Sequence, residues 1–104
     1  MIKATEARKR TQENEARYEE RFKMATKSYV DKMLEKANSA IEMAIANKFY
    51  ETAFDIESYK WNPQYRDIDL SYRQCCELIV EILEHDYDYR CEIYSSNKRI
   101  KIKW

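Results

Sequence analysis

The sequence predicts an α+β fold, in which a long N-terminal helix precedes a β-α-β-β unit whose three-stranded sheet packs on helices. Three observations predict it. Helix-forming residues dominate residues 4–47, which contain no glycine or proline. Apolar and polar residues then alternate over residues 49–57, as in a strand with one solvent-exposed face. The alternation returns in residues 89–104, after a second stretch with helical periodicity.

The long helix has two unlike halves. Its first half, residues 5–20, is almost wholly polar, whereas the second half carries an apolar stripe that can face a core. We therefore expect a single domain, residues 1–104, with a polar helical extension (1–21) and an α+β core (22–104). A helix that is polar on every side buries no face alone, so the extension predicts a homo-oligomer. The stripe consists of Phe22, Tyr29, Met33, Ala37, Ala40 and Ala44.

The ends of the other elements follow from local signals. We expect the first helix to end at Asn47-Lys48, with Asn47 in the left-handed conformation. Asp67 or Asp69 is expected to cap a second helix, of about 17 residues, that ends near His85-Asp86. A hairpin then turns at residues 95–98. A right-handed crossover places the first strand parallel to the second, with the last strand antiparallel between them.

Composition excludes some classes of protein. The chain of 104 residues contains no glycine, and the phosphate-binding loops of P-loop and dinucleotide-binding enzymes need glycine for close backbone approach. Of the three cysteines, Cys75 and Cys76 are adjacent and do not readily form an ordinary disulfide. Because the sequence also has no apolar signal segment, we expect a reducing cytoplasm.

Catalytic or metal-binding groups would have to include His85, the single histidine. Neither a Cys/His nucleophile pair nor a zinc site has the sequence spacing that makes such motifs specific. The acidic residues near the end of the second helix are expected to form a solvated face. We therefore predict a protein that is not an enzyme and has no cofactor and no metal.

Two surfaces are candidates for binding a protein or a nucleotide. The proline-containing loop combines aromatic rings with cations, the residue types enriched at interface hot spots. The last strand carries a row of cations that could follow phosphates. Nucleic acid is the least favoured partner, because the net charge is zero and the middle of the chain is acidic. An equally plain reading is that the loop's rings only cover the edge of the core. The candidates are Tyr59, Trp61, Tyr65 and Arg66 in the loop, and Arg99, Lys101 and Lys103 on the strand.

The end of the chain also carries a resemblance. Three features follow one another: a helix, the tyrosine-led segment Asp86-Tyr87-Asp88-Tyr89-Arg90-Cys91, and the final strand Ile100-Lys-Ile102-Lys-Trp104. This layout, over residues 25–104, resembles that of small bacteriophage accessory proteins. That class includes inhibitors of host defence. The resemblance implies an interaction protein in the host cytoplasm, with a host protein as partner. No membrane association is expected, because no stretch approaches the roughly 20 apolar residues needed to span a bilayer. The alternatives are a small-ligand or nucleotide-sequestering role, or that of a minor nucleic-acid-binding accessory protein.

Overall fold

The computed structural model describes residues 1–104 and has the predicted α+β fold. Its long dimension is 64 Å, against 28 and 23 Å for the others. A helix of 43 residues at 1.5 Å per residue is about 64 Å long, so the first helix sets this axis. Neither helix combines the length and apolar character that crossing a bilayer requires. The elements are α1 (Ala4–Ala46), β1 (Glu51–Asp55), a 3-10 turn (Pro63–Tyr65), α2 (Tyr72–Tyr87), β2 (Arg90–Ile93) and β3 (Arg99–Lys103).

Helix α1 is continuous, and its two halves differ in burial as they do in sequence. Every residue from 1 to 21 is exposed, whereas the second half buries a face against the sheet and α2. Thr26 belongs to this face although it is polar. Its Oγ1 donates to the main-chain oxygen of Phe22 at 2.8 Å, so the buried hydroxyl is satisfied. The buried residues of α1 are Thr26, Met33, Ala37, Ile41 and Ala44.

The end of α1 corrects one expectation. Lys48, not Asn47, takes the left-handed conformation, with φ of 63° against −94° for Asn47. The amides of Lys48 and Phe49 donate to the oxygens of Ile45 and Ala44 at 3.0 and 2.9 Å, which is a Schellman motif. The side chain of Asn47 instead donates to the Met43 oxygen at 2.8 Å. The Asn47 side chain therefore gives the Met43 carbonyl a second donor beside the Asn47 amide at 3.2 Å, while the next residue makes the turn.

The sheet has the predicted order. β3 lies between β1 and β2 and is antiparallel to both, so the outer two strands are parallel. Ile100 and Ile102 of β3 are completely buried on the face that the helices cover. The intervening residues of β3 point to the other face, which no element covers. One side of the sheet is therefore core and the other is open.

Helix α2 begins at a different cap from those expected. The Oγ of Ser71 accepts from the amide of Gln74 at 3.2 Å, and Oε1 of Gln74 accepts from the amide of Ser71 at 2.9 Å. This is a capping box. Asp67 instead pairs with Arg21, and Asp69 accepts from the amide of Leu70 at 2.9 Å. A cap at either aspartate was a wrong prediction, because both lie in the loop before the helix.

Helix α2 has 16 residues and ends at Tyr87, slightly beyond the predicted end at His85-Asp86. Asp88 follows it in the left-handed conformation, with φ of 60°. Both helices, the sheet and the loop before α2 contribute to one core. That core consists of Met33, Ala37, Ile41, Phe54, Ile56, Tyr59, Ile68, Cys75, Cys76, Ile79, Leu83, Ile100 and Ile102.

Candidate functional site

The loop between β1 and α2 is anchored on the core by two of its predicted binding residues. Tyr59 is only 8% exposed, and its hydroxyl donates to the oxygen of Ala25 at 3.4 Å. Burial raises the pKa of this hydroxyl. Tyr65 is half-buried against the same core. These two rings hold the loop in place, which leaves Trp61 and Arg66 as its exposed candidates.

Trp61 presents its ring on an ordered loop. Its Nε1 donates to the main-chain oxygen of Arg66 at 3.2 Å, and the indole is 51% exposed. The side chain of Asn62 caps the following 3-10 turn by accepting from the amide of Gln64 at 2.9 Å. Ile68 is buried and fixes the far end of the loop. An exposed ring on such a scaffold can bind without first ordering the loop.

A groove of about 670 Å³ lies between α1 and this loop. The Tyr29 hydroxyl donates to the oxygen of Glu57 at 2.7 Å, and its ring meets Tyr59 edge-on, with 6.0 Å between centroids. Burial raises the pKa of Tyr29 above its usual value, so it donates as a neutral phenol. The Lys32 ammonium lies 2.9 Å from a Glu57 oxygen and lowers the pKa of that carboxyl.

The mouth of this groove adds a free cation and a third ring. Lys60 lines the groove without forming an ion pair, and Tyr72 lines it from the start of α2. The Lys98 ammonium lies 5.1 Å from the centre of the Tyr72 ring, within cation–π range. The groove therefore combines aromatic walls with positive charge.

The basic row on β3 lies on the open face of the sheet, where each cation meets an acid on a neighbouring strand. These pairs are exposed or partly exposed, so each contributes little to stability, yet together they offset most of the row's charge. The pairs are Arg99 with Asp55 at 2.9 Å, Lys101 with Glu51 at 3.6 Å and Lys103 with Glu92 at 3.7 Å.

The two candidate surfaces are not brought together. Tyr59 packs into the core with Ile100 and Ile102, on the helix side of the sheet. The cations of β3 alternate with these isoleucines and therefore point to the opposite side. A ligand that spans both the loop and the basic row would have to reach around the edge of the sheet.

A third surface was not recognised from the sequence. We name Phe49, Tyr50 and Trp104 the aromatic end, since they lie where β1 begins and β3 finishes. The amide of Trp104 donates to the oxygen of Tyr50 at 3.0 Å, which extends the ladder by one pair. Phe49 and Tyr50 are 62% and 77% exposed, and Trp104 is 37% exposed. Tyr89 of the hairpin supports Trp104 edge-on, at 6.1 Å between centroids.

The grouping depends on strand register. Tyr50 and Trp104 are 54 positions apart, and only the pairing of Glu51 with Lys103 sets them opposite each other. The sequence signal was available in part, because Tyr50 precedes one alternating run and Trp104 closes another. Without the register, the two rings belonged to separate elements.

The histidine and the three cysteines do not form a common site. His85 is exposed in the last turn of α2, and all three cysteines are free. Cys75 and Cys76 are buried, while Cys91 is half-buried and burial raises its pKa to about 11. No three side chains of histidine, cysteine, aspartate or glutamate come together in a way that could hold a metal ion.

Comparison with protein-family models, with curated proteins and with solved structures found no match for this chain. A function is therefore inferred from the surfaces described above.

Proposed function

We propose that this chain is a non-catalytic interaction protein that binds and inhibits a host factor through protein–protein contacts. The host protein is of the defence type, the class to which the resemblance to bacteriophage accessory proteins points, and the contact takes place in the host cytoplasm. The proposal includes association between copies of the chain through residues 1–21. The observation that carries it is the aromatic end, where three large side chains are exposed at one end of the sheet.

The exposed rings supply a suitable contact area. A buried aromatic side chain covers 150–250 Å², so the exposed parts of Phe49, Tyr50 and Trp104 offer roughly 300–400 Å². A stable interface buries about 800 Å² on each partner, of which a central aromatic cluster is commonly the hot spot. The sheet holds the backbone at this end, since the Trp104 amide donates to the Tyr50 oxygen, and Tyr89 supports the Trp104 ring. Little entropy of the Trp104 side chain is then lost on binding.

The test compares two tyrosine variants in quantitative capture from host extract, read by mass spectrometry. Tyr50→Ala removes a ring of the aromatic end. Tyr94→Ala is the matched control, because Tyr94 is 41% exposed and precedes the turn at the other end of the hairpin. A host protein retained by the wild type and Tyr94→Ala but lost from Tyr50→Ala is the expected partner.

Binding of that purified partner is then measured by calorimetry. A hot-spot ring is worth about 2 kcal/mol or more, so Tyr50→Ala should weaken binding by about 30-fold. Tyr94→Ala should stay within about threefold, with both variants folded by circular dichroism. The chain should also inhibit that host factor less well in a host-defence assay when it carries Tyr50→Ala. Equal capture and equal affinity of all three chains would contradict a role for the aromatic end.

The loop provides the alternative contact surface within the same proposal. Trp61→Ala removes an exposed ring that the core does not need. If Trp61→Ala loses the host protein while Tyr50→Ala retains it, the chain still acts by protein contacts, but through the loop and Arg66 in place of the aromatic end.

A second candidate function is the binding of a small anionic ligand such as a nucleotide. The observation that favours it is the groove of about 670 Å³, within the size range of ligand sites, which combines Tyr29, Tyr59 and Tyr72 with Lys60. A nucleotide at 100 times its dissociation constant should stabilise the fold by about 2.7 kcal/mol. Thermal unfolding against a nucleotide panel measures this, with Tyr72→Ala expected to remove the shift and Tyr94→Ala to keep it. A panel without any shift contradicts this candidate.

A further inference from the structure

The exposed half of α1 carries a face with the spacing of a helix–helix seam. Ala4, Ala7, Thr11, Asn14 and Tyr18 follow one another at intervals of three and four, the a and d positions of a heptad. All five are exposed on a helix that extends beyond the core. The Tyr18 ring lies 6.2 Å from that of Phe22, so it is held at the core end of the face.

Charge changes sign along the same half-helix. Residues 5–12 carry three cations and one acid, for a net charge of +2, whereas residues 13–20 carry one cation and four acids, for a net charge of −3. Few of these charges are satisfied within the chain, since Arg10 with Glu6 is the single ion pair in this stretch. Each segment is therefore free to pair with one of opposite sign.

We propose that a second copy of this chain pairs antiparallel with this face, with residue n of one copy opposite residue 25 − n of the other. The inference rests on the self-association included in the proposed function and specifies its geometry. The positive segment of each helix then lies along the negative segment of the other. The large Tyr18 lies opposite the small Ala7, and Thr11 lies opposite Asn14, where polar side chains can fix the register.

A parallel pair is disfavoured by the same charges. It would set the net-positive residues 5–12 of both copies side by side, and residues 13–20 likewise. It would also bring two folded cores to the same end of the seam. The antiparallel pair separates the cores and overlaps residues 4–21, over about 27 Å of helix. Beside its seam, Arg8 of each copy lies next to Glu15 of the other.

Two arginine variants of the full chain test the geometry, with dimerisation measured by sedimentation equilibrium. The antiparallel dimer contains two Arg8–Glu15 contacts, one from each copy. Arg8→Glu replaces both with a pair of acids and should weaken the dimer at least about fivefold. Arg10→Glu makes the same charge change on the opposite side of the seam. There Arg10 lies near Arg17 of the second copy, so the substitution should strengthen the dimer. The double variant Arg8→Glu with Glu15→Arg should restore the wild-type affinity.

Several outcomes would overturn the proposal. They are a wild-type chain that stays monomeric at the highest concentration reached, Arg8→Glu and Arg10→Glu shifting the equilibrium in the same direction, or a double variant weaker than both single ones. Added salt should also weaken the dimer, because exposed charges are screened.

Cysteine cross-linking tests the register directly. A chain with Ala7→Cys and Tyr18→Cys places these thiols opposite each other between copies, so mild oxidation should give a covalent dimer. Ala7→Cys alone should not, because positions 7 of the two copies are 11 residues apart along the seam, about 16 Å. Cross-linking by Ala7→Cys alone would indicate a parallel pair and refute the proposal. If the wild-type chain is monomeric but captures a host protein that Tyr50→Ala loses, self-association is refuted and the host partner stands. If the chain dimerises but captures no host protein, the host partner is refuted and self-association stands.

Discussion

The hydroxyl of Tyr29 donates a hydrogen bond of 2.7 Å to the main-chain oxygen of Glu57, which joins the middle of α1 to the chain just after β1. The ring of Tyr29 also meets Tyr59 edge-on, so the same residue supports one wall of the groove and the base of the loop. Helix, strand end and loop are thus positioned by one side chain.

Tyr29→Phe keeps the ring and removes this bond. We expect the free energy of unfolding to fall by about 1 kcal/mol, because the Glu57 oxygen is left without its partner. Tyr18→Phe is the matched control, since the exposed Tyr18 hydroxyl has no partner within the chain, and its effect should stay within about 0.5 kcal/mol. Urea unfolding at low protein concentration measures both. Equal effects of the two substitutions would contradict the role assigned to the Tyr29 hydroxyl.

The capping box makes Ser71 the residue on which the start of α2 depends. Ser71→Ala leaves the amide of Gln74 without its acceptor and should cost about 1 kcal/mol. Ser95→Ala provides the control, because Ser95 is an exposed turn residue whose hydroxyl forms no hydrogen bond within the chain. Thermal unfolding followed at 222 nm compares them. If Ser71→Ala unfolds at the same temperature as Ser95→Ala, the cap has no energetic role.

The order of elements was predictable because it depends on local periodicity. Helical spacing, the alternation in residues 89–104 and the crossover rule together predict the sheet order that the structure has. The Ser71 cap was also readable, since Gln74 stands three residues after it in the capping-box pattern. Asp67 and Asp69 compete with Ser71 in the sequence, because aspartate is an equally good capping residue.

What the sequence did not predict depends on contacts between distant residues. Asp55 neutralises Arg99 from 44 positions away, and the pair exists only because β1 lies beside β3 in one register. The main chains of Tyr50 and Trp104 meet for the same reason. The burial of Tyr59, one of the predicted binding residues, was not readable from the sequence, because a ring type alone does not reveal which side of a loop is covered.

A chain without glycine must place other residues wherever the backbone turns left-handed, and Lys48 is the least suited of the three that do so. A side chain in that conformation costs about 1–2 kcal/mol, whereas glycine loses about 0.5–1 kcal/mol more entropy on folding. Lys48→Gly should therefore stabilise the fold by about 0.5–1 kcal/mol. Asp88→Gly, at φ of 60°, is the control and should change little, because aspartate tolerates this region and the exposed Asp88 side chain forms no hydrogen bond within the chain. Chemical denaturation distinguishes them, and a destabilised Lys48→Gly would show that the lysine makes compensating contacts.

The thiol of Cys91 should be unusually unreactive for a half-buried cysteine. Burial, with a smaller contribution from the charge of Glu84, raises its pKa from an ordinary 9.0 to about 11. The folded state then favours the neutral thiol more than the unfolded state does. The stability that this provides is complete below pH 9 and is lost as the pH rises towards 11. At pH 8 the reactive thiolate is about 100-fold rarer than in a cysteine of ordinary pKa.

Alkylation by iodoacetamide, followed peptide by peptide in the mass spectrometer, measures this prediction. The Cys91 rate should rise up to pH 11 in the folded chain and level off near pH 9 in urea. Glu84→Gln should move the folded midpoint slightly downwards, since it removes the smaller of the two causes. Cys75 is the internal control, because it is completely buried and should react only as the chain unfolds, whatever the pH. A Cys91 midpoint near pH 9 in the folded chain would mean that water reaches the thiol and that the inner face of β2 is more open than the packing indicates.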